Sequence, residues 1–388
     1  MIRRPPRSTL SSSSAASDVY KRQVKLFLKI LLMVIYLLYQ NLSYFLQRND
    51  HIKFQNYKGK KVSINSIDVT AIGNAIVDVL AQCDDEFLNK NNITKSSMNL
   101  IDEERSKFLF DNINSPKVIS GGSAANTAVG LASLGSTAAF IGKVKNDELG
   151  NTFKRDIEEV GVSFDTPLNE NGPRTASSTI LITPDAERSM NTFLGACVNL
   201  DAQDIDENLI KKSKLVYLEG YLFDPPQAKE AFRKAAKVAK DENNLVAITL
   251  SDSFCVERHR DDFITFIKNF ADILFCNEDE IKSLYECDLE SAKHKVEEMG
   301  KETVITLGSN GSTVFRNNEW TNVEAYKPKA VIDTTGAGDL FAAGYLHGTC
   351  LNLDAENCSK IGSIVASEII SHVGPRPTQS LKNLIKDI

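Results

Sequence analysis

The chain has 388 residues, 42% of them hydrophobic and 25% charged, which is ordinary for a soluble globular protein and excludes a disordered chain, a collagen-like chain and a multi-span membrane protein. The formal net charge of −6 is unevenly spread: residues 1–60 hold eleven Lys/Arg against two acids, +9, which leaves −15 for residues 61–388. So acidic a main body disfavours a nucleic-acid-binding face.

Residues 1–23 (MIRRPPRSTLSSSSAASDVYKRQ) show no apolar periodicity and read as a disordered, low-complexity leader; the stretch also resembles a translated sequencing adaptor, which would leave it outside the fold. In residues 24–46 the unbroken apolar core runs only from Ile30 to Tyr39, short of the ~20 residues of a spanning helix. No small-x-small cleavage site follows it. Three readings stay open there: translated untranslated sequence, an uncleaved signal-anchor, or an organelle-targeting remnant. Seven scattered cysteines (Cys83, Cys197, Cys255, Cys276, Cys287, Cys350, Cys358) with no CxxC pair fit a reduced, cytoplasmic protein rather than a disulfide framework or a zinc site.

Ile67–Ile72, a mainly apolar run stopped by Gly73, predicts a buried strand. Leu80–Lys117 is polar and irregular. Ala-rich Ser123–Leu134 predicts a helix, Thr137–Ile141 a strand, and Asp147–Val160 a helix with Asp147 as N-cap. Thr175–Thr183 and Arg188–Leu194 predict a hairpin around Pro184-Asp185, read either as a lid over a ligand or as an edge hairpin without function. Further strands are predicted at Leu215–Leu218, Val246–Leu250, Ile273–Cys276 and Val304–Leu307, with helices at Gln227–Lys240, Asp261–Phe270, Glu278–Tyr285 and Glu290–Met299. Helices at about Ala337–Cys350 and Glu356–Ser371 close the chain. Strands alternating with helices at this spacing imply βαβ units and a parallel sheet.

The strongest local signal is VIDTTGAGDLFAAGYLHG, residues 331–348. Small residues at Gly336-Ala337-Gly338 let the backbone turn tightly, and a helix N-terminus adds positive dipole, so the turn can hold a phosphoryl group. Asp339 sits inside that anion hole, where a carboxylate is costly unless it acts as a general base on a hydroxyl. A Gly-rich turn with an Asp N-cap is the bland alternative. No GxxxxGK[ST] occurs, the pair Gly336 and Gly338 lacks the third glycine of a dinucleotide-binding fingerprint, and the five histidines form no HExxH or HxxxH pattern.

DTTGAGDLF (333–341) resembles the C-terminal signature of the ribokinase-like (PfkB) kinases. GGSAANTAVGLASLG (121–135) and IGKVKNDELG (141–150) resemble the N-terminal one. GNAIVD (73–78), NEDE (277–280), TLGSNG (306–311) and HVGPRP (372–377) follow the family's order and spacing. The resemblance runs from about Asp68 to the C-terminus. It implies a three-layer α/β sandwich with a central, mainly parallel sheet and a small β-rich lid. Residues 61–388 would form the kinase domain, with lid insertions at about 79–118 and 172–197.

The family's roles carry over residue by residue. Asp339 looks like the catalytic base, with the N–H groups of Gly336, Ala337 and Gly338 holding the transferring phosphoryl group. Asp78 resembles the carboxylate that accepts hydrogen bonds from two sugar hydroxyls, with Asn74, Gly121, Gly122 and Asn126 beside it; taken alone, Asn126 reads as an exposed polar position on an Ala-rich helix. Arg188 resembles a lid arginine reaching the ATP phosphates, and Thr306, Gly308 and Gly311 would line the nucleotide. Asn277 and Glu280 match the N-x-x-E motif that orders Mg²⁺ through water. Asp333 and Thr335 stand where several relatives hold a monovalent cation such as K⁺ through carbonyl oxygens. The chain departs from the family at Gly374-Pro375-Arg376-Pro377, where G-A-x-P is usual and Pro375 lacks an N–H. It departs again at Val144, flanked by Lys143 and Lys145, where relatives often have glycine.

GNAIVDVLAQCDDEFL, EGYLFDPP (219–226) and SDSFCVERHRDDF (251–263) resemble bacterial-type adenosine kinase homologues. The implied activity is ATP-dependent phosphorylation of adenosine to AMP. The alternatives are a sugar kinase for ribose, fructose or a relative, and an inactive ligand-binding homologue, against which the intact Asp339 and Gly336-Ala337-Gly338 turn speak. The implied partners are ATP, Mg²⁺ and a small acceptor, with neither nucleic acid nor membrane.

Overall fold

A computed structural model describes residues 67–185, 187–386 and 388. The leader and the apolar segment expected within residues 1–60 lie outside the described residues. The strands are β1 (Ile67–Ile72), β2 (Ile76–Gln82), β3 (Met98–Leu100), β4 (Lys117–Ser120), β5 (Ala138–Ile141), β6 (Ala176–Ile182), β7 (Arg188–Phe193), β8 (Ser213–Glu219), β9 (Leu245–Thr249), β10 (Ile273–Asn277), β11 (Glu302–Thr306), β12 (Ser312–Arg316) and β13 (Glu319–Val323). Eight of them form one sheet in the order β13-β12-β11-β10-β9-β8-β1-β5. Pairing is parallel from β5 across to β11 and antiparallel at β12 and β13. A second, five-stranded sheet runs β3-β7-β6-β2-β4.

The large sheet is covered on both faces, as its short, nearly all-apolar strands require. Along β8, Leu215 and Tyr217 point into a core shared with the helices Ser123–Leu134, Ala337–Cys350 and Ala355–Ile369, while Val216 and Leu218 point into the opposite core, under the helices Pro226–Asp241 and Ser253–Asn269. The helix Pro226–Asp241 shows why these segments pack as they do. It opens with Pro226 at its first turn, and Ala228, Ala231, Phe232, Ala235, Ala236 and Ala239, spaced three and four apart, are all buried. Full burial of Phe232 contributes about 1.5–3 kcal/mol. The result is the three-layer α/β sandwich with a smaller β-sheet attached that the sequence implies.

Two expectations are corrected. Leu80–Lys117 is not irregular: it holds the helices Asp85–Lys90 and Glu103–Asn112, whose N-caps Asp84 and Asp102 accept from the N–H groups of Phe87 and Arg105 at 2.8 Å each. These helices bury little, chiefly Leu88 and Leu109, which join Ala81, Ile93 and Leu181 in a small separate core against the second sheet; so few apolar residues leave no periodicity to read. The helix expected at Asp261–Phe270 starts earlier, at Ser253, with a non-helical residue at His259 (φ −130°, ψ 25°), where Arg258 and His259 both reach Asp224 at 2.7–3.0 Å. The hairpin β12–β13 turns on Asn317-Asn318, both at positive φ, the geometry a two-residue hairpin turn favours. Among the described residues, no helix is long and apolar enough to cross a membrane.

The parallel strands end, at their carboxyl ends, in Gly73-Asn74, Glu219, Ser251, Asn277 and Thr306, the edge where ligands bind in open α/β sheets. The chain leaves this edge for the second sheet through Gly73–Ala75 and returns to the first layer through Gly121-Gly122. The second sheet thus carries Asp78 and Arg188, while the edge of the first carries Asn74, Asn277 and Thr306.

Candidate active site

Gly336 is the N-cap of the helix Ala337–Cys350 and adopts φ +81°, ψ 0°, a left-handed conformation that a side chain would strain. A Cβ there would also lie 2.9 Å from the Pro375 side chain. The N–H of Ala337 donates to the Thr334 carbonyl at 3.2 Å, so of the three N–H groups expected to face a phosphoryl group, one has an internal partner. Asp339, in the first turn of the helix, does not cap it. Its Oδ1 accepts from the Ser123 hydroxyl at 2.6 Å and its Oδ2 from Asn126 Nδ2 at 2.9 Å, both on the neighbouring helix Ser123–Leu134. The Thr127 hydroxyl donates to the Asp339 carbonyl at 3.1 Å. Burial pushes the Asp339 carboxyl up, while the bonds from Ser123 and Asn126 and the charge of Arg376 pull it back. Asn126 is 4% exposed. It is not the solvated position its helix pattern suggests, and the neighbour it holds is Asp339.

Asp78 lies on β2, across from Gly121: a Cβ on Gly121 would come within 2.5 Å of Asp78 Oδ2, so only glycine admits this close approach. Gly122, at φ +93°, caps the helix that carries Ser123 and Asn126. Burial pushes Asp78 up to about 7, with Arg376 and Arg188 opposing the rise and Asp339 and Asp333 adding to it. Asn74 is turned to a different acid. Its Nδ2 donates to Glu219 Oε1 at 2.9 Å, and Glu219 Oε2 accepts from the Ala124 N–H at 2.8 Å. Burial pushes Glu219 to about 7. Arg376 donates from Nε to the Ser120 carbonyl at 2.9 Å, and its Nη2 is buried without a hydrogen-bond partner. Burial lowers its pKa to about 10, opposed by Asp78, Asp156 and Asp339, so it remains a cation at neutral pH.

The residues expected to face a nucleotide border two adjoining cavities. Thr306, Gly308 and Gly311 line one of about 420 Å³ whose walls include Tyr326, Phe341 and Ile370. Ser123, Asn277, Glu280, Thr306 and Asp339 line a more polar one of about 100 Å³. Thr306, Gly338 and Phe341 belong to both. Asn277 and Glu280 form a reciprocal cap: Asn277 Oδ1 accepts from the Glu280 N–H at 2.8 Å, and Glu280 Oε2 accepts from the Asn277 N–H at 3.0 Å. Burial pushes Glu280 to about 7. Arg188, on β7, pairs with Asp333 Oδ2 at 2.9 Å. Thr335 bonds Asp333 Oδ1 through its N–H (3.1 Å) and its hydroxyl (2.7 Å).

Sequence reasoning did not single out Ser123, Glu219 or Arg376. Ser123 lay within a quoted motif, and Glu219 shows the one usable signal, an acid ending an apolar strand at the carboxyl edge of a parallel sheet. Arg376 stood in the stretch that departs from the family pattern and drew attention only through Pro375.

The family model described as pfkB family carbohydrate kinase matches residues 98–381. Among solved structures, an adenosine kinase from Sinorhizobium meliloti is 46% identical with a TM-score of 0.76, and a probable sugar kinase from Rhizobium etli CFN 42 is 43% identical with a TM-score of 0.77. Each alignment covers 82% of this chain and 98% of the other. Adenosine kinase 2 of Arabidopsis thaliana is 26% identical over 331 residues, 78% of this chain and 93% of the relative.

Proposed function

Because the chain belongs to the pfkB family of carbohydrate kinases, we propose that it transfers the γ-phosphoryl group of ATP to the 5′-hydroxyl of adenosine, yielding AMP. The observation that carries this reading is the 46% identity to the Sinorhizobium adenosine kinase over nearly that protein's whole length, together with an acid held by two side chains at the mouth of a glycine turn.

In this reading Asp339 takes the hydroxyl proton. Ser123 and Asn126 fix the carboxylate's orientation, and burial makes it a stronger base than a solvated aspartate. Asp78 accepts from the ribose hydroxyls and so fixes where the reacting hydroxyl lies. The N–H groups of Gly336 and Gly338, with the helix dipole behind them, receive the charge that develops on the transferring group. The 420 Å³ cavity, bordered by Tyr326, Phe341 and Ile370, takes the adenine and ribose of ATP. Asn277 and Glu280 suit Mg²⁺: they offer oxygen donors on the polar cavity, and burial of Glu280 favours loss of its proton only beside a cation. When bound, magnesium would neutralise charge on the phosphate chain. Among the described residues no three acidic, His or Cys side chains cluster as metal ligands; water and nucleotide oxygens would complete the shell.

The Rhizobium etli relative supports a second reading, in which the acceptor is a sugar bound through the same Asp78. The test is product formation: protein incubated with ATP, Mg²⁺ and adenosine should yield AMP and ADP in equal amounts, and absence of AMP would overturn the adenosine reading.

A further inference from the structure

Ser251 joins the end of β9 to the helix Ser253–Asn269 and sits at φ +71°. A non-glycine residue there carries backbone strain, and strain retained at a ligand edge marks a position held for use. Of the non-glycine residues at positive φ among the described residues, Ser251 alone lines the polar cavity shared by Asn277, Glu280, Thr306 and Asp339. Its backbone is fixed from both sides: its N–H donates to Thr249 Oγ1 at 3.3 Å, and its carbonyl accepts from the Tyr221 hydroxyl at 3.4 Å. The next residue, Asp252, is committed to capping the helix through the Cys255 N–H at 2.6 Å. The Ser251 hydroxyl itself is buried and has no hydrogen-bond partner. A buried hydroxyl left unpaired is costly. Here that cost comes on top of a strained backbone that glycine would adopt freely.

We propose that Ser251 is a phosphate-binding residue, whose hydroxyl donates to a β-phosphate oxygen of the nucleotide in the polar cavity. The assignment rests on the nucleotide-binding reading of these cavities. A neutral hydroxyl suits the position, because Asn277, Glu280 and Asp339 around the cavity offer no fixed cation and a further charge would compete with the metal for the chain. The bond satisfies the orphaned hydroxyl only in the liganded protein, so its stabilisation appears as affinity and not as stability of the free protein.

The test compares Ser251→Gly and Ser251→Ala with the wild type in two measurements: calorimetric titration with ADP in the presence of Mg²⁺, and thermal melting without ligand. A hydrogen bond to a charged oxygen should be worth about tenfold in affinity, so both variants should bind ADP about tenfold more weakly. Glycine relieves the positive φ, so Ser251→Gly should melt no lower than the wild type while still losing affinity. A Ser251→Gly protein that keeps its ADP affinity within twofold would overturn the proposal, because a purely structural serine predicts that result. A wild-type protein that binds no ADP would overturn the nucleotide-site reading and the proposal with it, and that outcome is read from the wild type alone.

Discussion

Arg188 and Asp333 form an ion pair at 2.9 Å that joins the second sheet to the segment leading into the glycine turn, with Asp333 only 3% exposed. Asp333 Oδ2 also accepts from the Gly374 N–H at 2.8 Å, and Oδ1 takes both bonds from Thr335. One carboxylate thus ties together β7, the glycine turn and the loop that carries Arg376. Burial would raise its pKa, but the Gly374 and Thr335 bonds and the Arg188 charge hold it below the usual carboxylate range.

Asp333→Asn removes the charge and leaves donors short of acceptors. The expected loss is about 1–3 kcal/mol of stability, read by urea denaturation. Arg188→Met should cost less, because Asp333 keeps its other donors. A larger loss for Arg188→Met would show that the arginine, not the carboxylate, organises the junction.

Asp339→Asn should keep the side chain in place, its oxygen accepting from Asn126 and its amide donating to the Ser123 hydroxyl, and lose the base. Turnover should fall by ~10²–10⁴-fold with acceptor binding retained. Turnover within a few-fold of wild type would remove Asp339 from the proton transfer.

Gly336→Ala places a Cβ at φ +81° and 2.9 Å from Pro375. The strain of about 1–2 kcal/mol should appear as a lowered melting temperature, with turnover reduced further because the turn proposed to hold the phosphoryl group is displaced. An alanine variant with wild-type melting and turnover would mean the turn tolerates a side chain.

Part of the pH dependence follows from Asp78, and Glu219 and Glu280, also pushed up to about 7 by burial, add to it with the same sign. The Asp78 carboxyl titrates at about 7 in the folded protein and near 3.9 when unfolded. Between those values the unfolded chain ionises while the folded protein keeps the proton, so stability falls as pH rises from about 4 to 7. Asp78→Asn abolishes this contribution. It should melt higher than wild type at pH 8, with little difference at pH 4, while its KM for the acceptor rises. In the wild type, kcat/KM for the acceptor should fall as pH drops below about 7, where Asp78 gains its proton. An equal melting shift for Asp78→Asn at both pH values would contradict the assignment.

What the chain made legible was local. Asp147 caps its helix by accepting from the Gly150 N–H at 2.8 Å, as its place before an amphipathic run predicted. The helix Glu278–Tyr285 falls where expected, because its Asn-x-x-Glu start encodes its own cap. The Gly336 turn and Asp339 stand side by side in the sequence, so their chemistry could be read together. The second sheet was only partly visible: the β6–β7 hairpin announces its own turn, whereas β2 pairs with β4 across a polar stretch that buries few side chains. Asn126 read as solvated because its partner, Asp339, lies on a helix far along the chain. Glu219 and Arg376 owe their environment to equally distant segments, Asn74 and Ala124 for the first, Ser120 for the second.

The measurement that bears most directly on the central claim is kcat/KM of the wild-type protein, with ATP and Mg²⁺, over adenosine, other nucleosides, ribose and fructose. Adenosine should be the best acceptor in the panel. Turnover of fructose or ribose with none of adenosine would contradict the account and assign the site to a sugar.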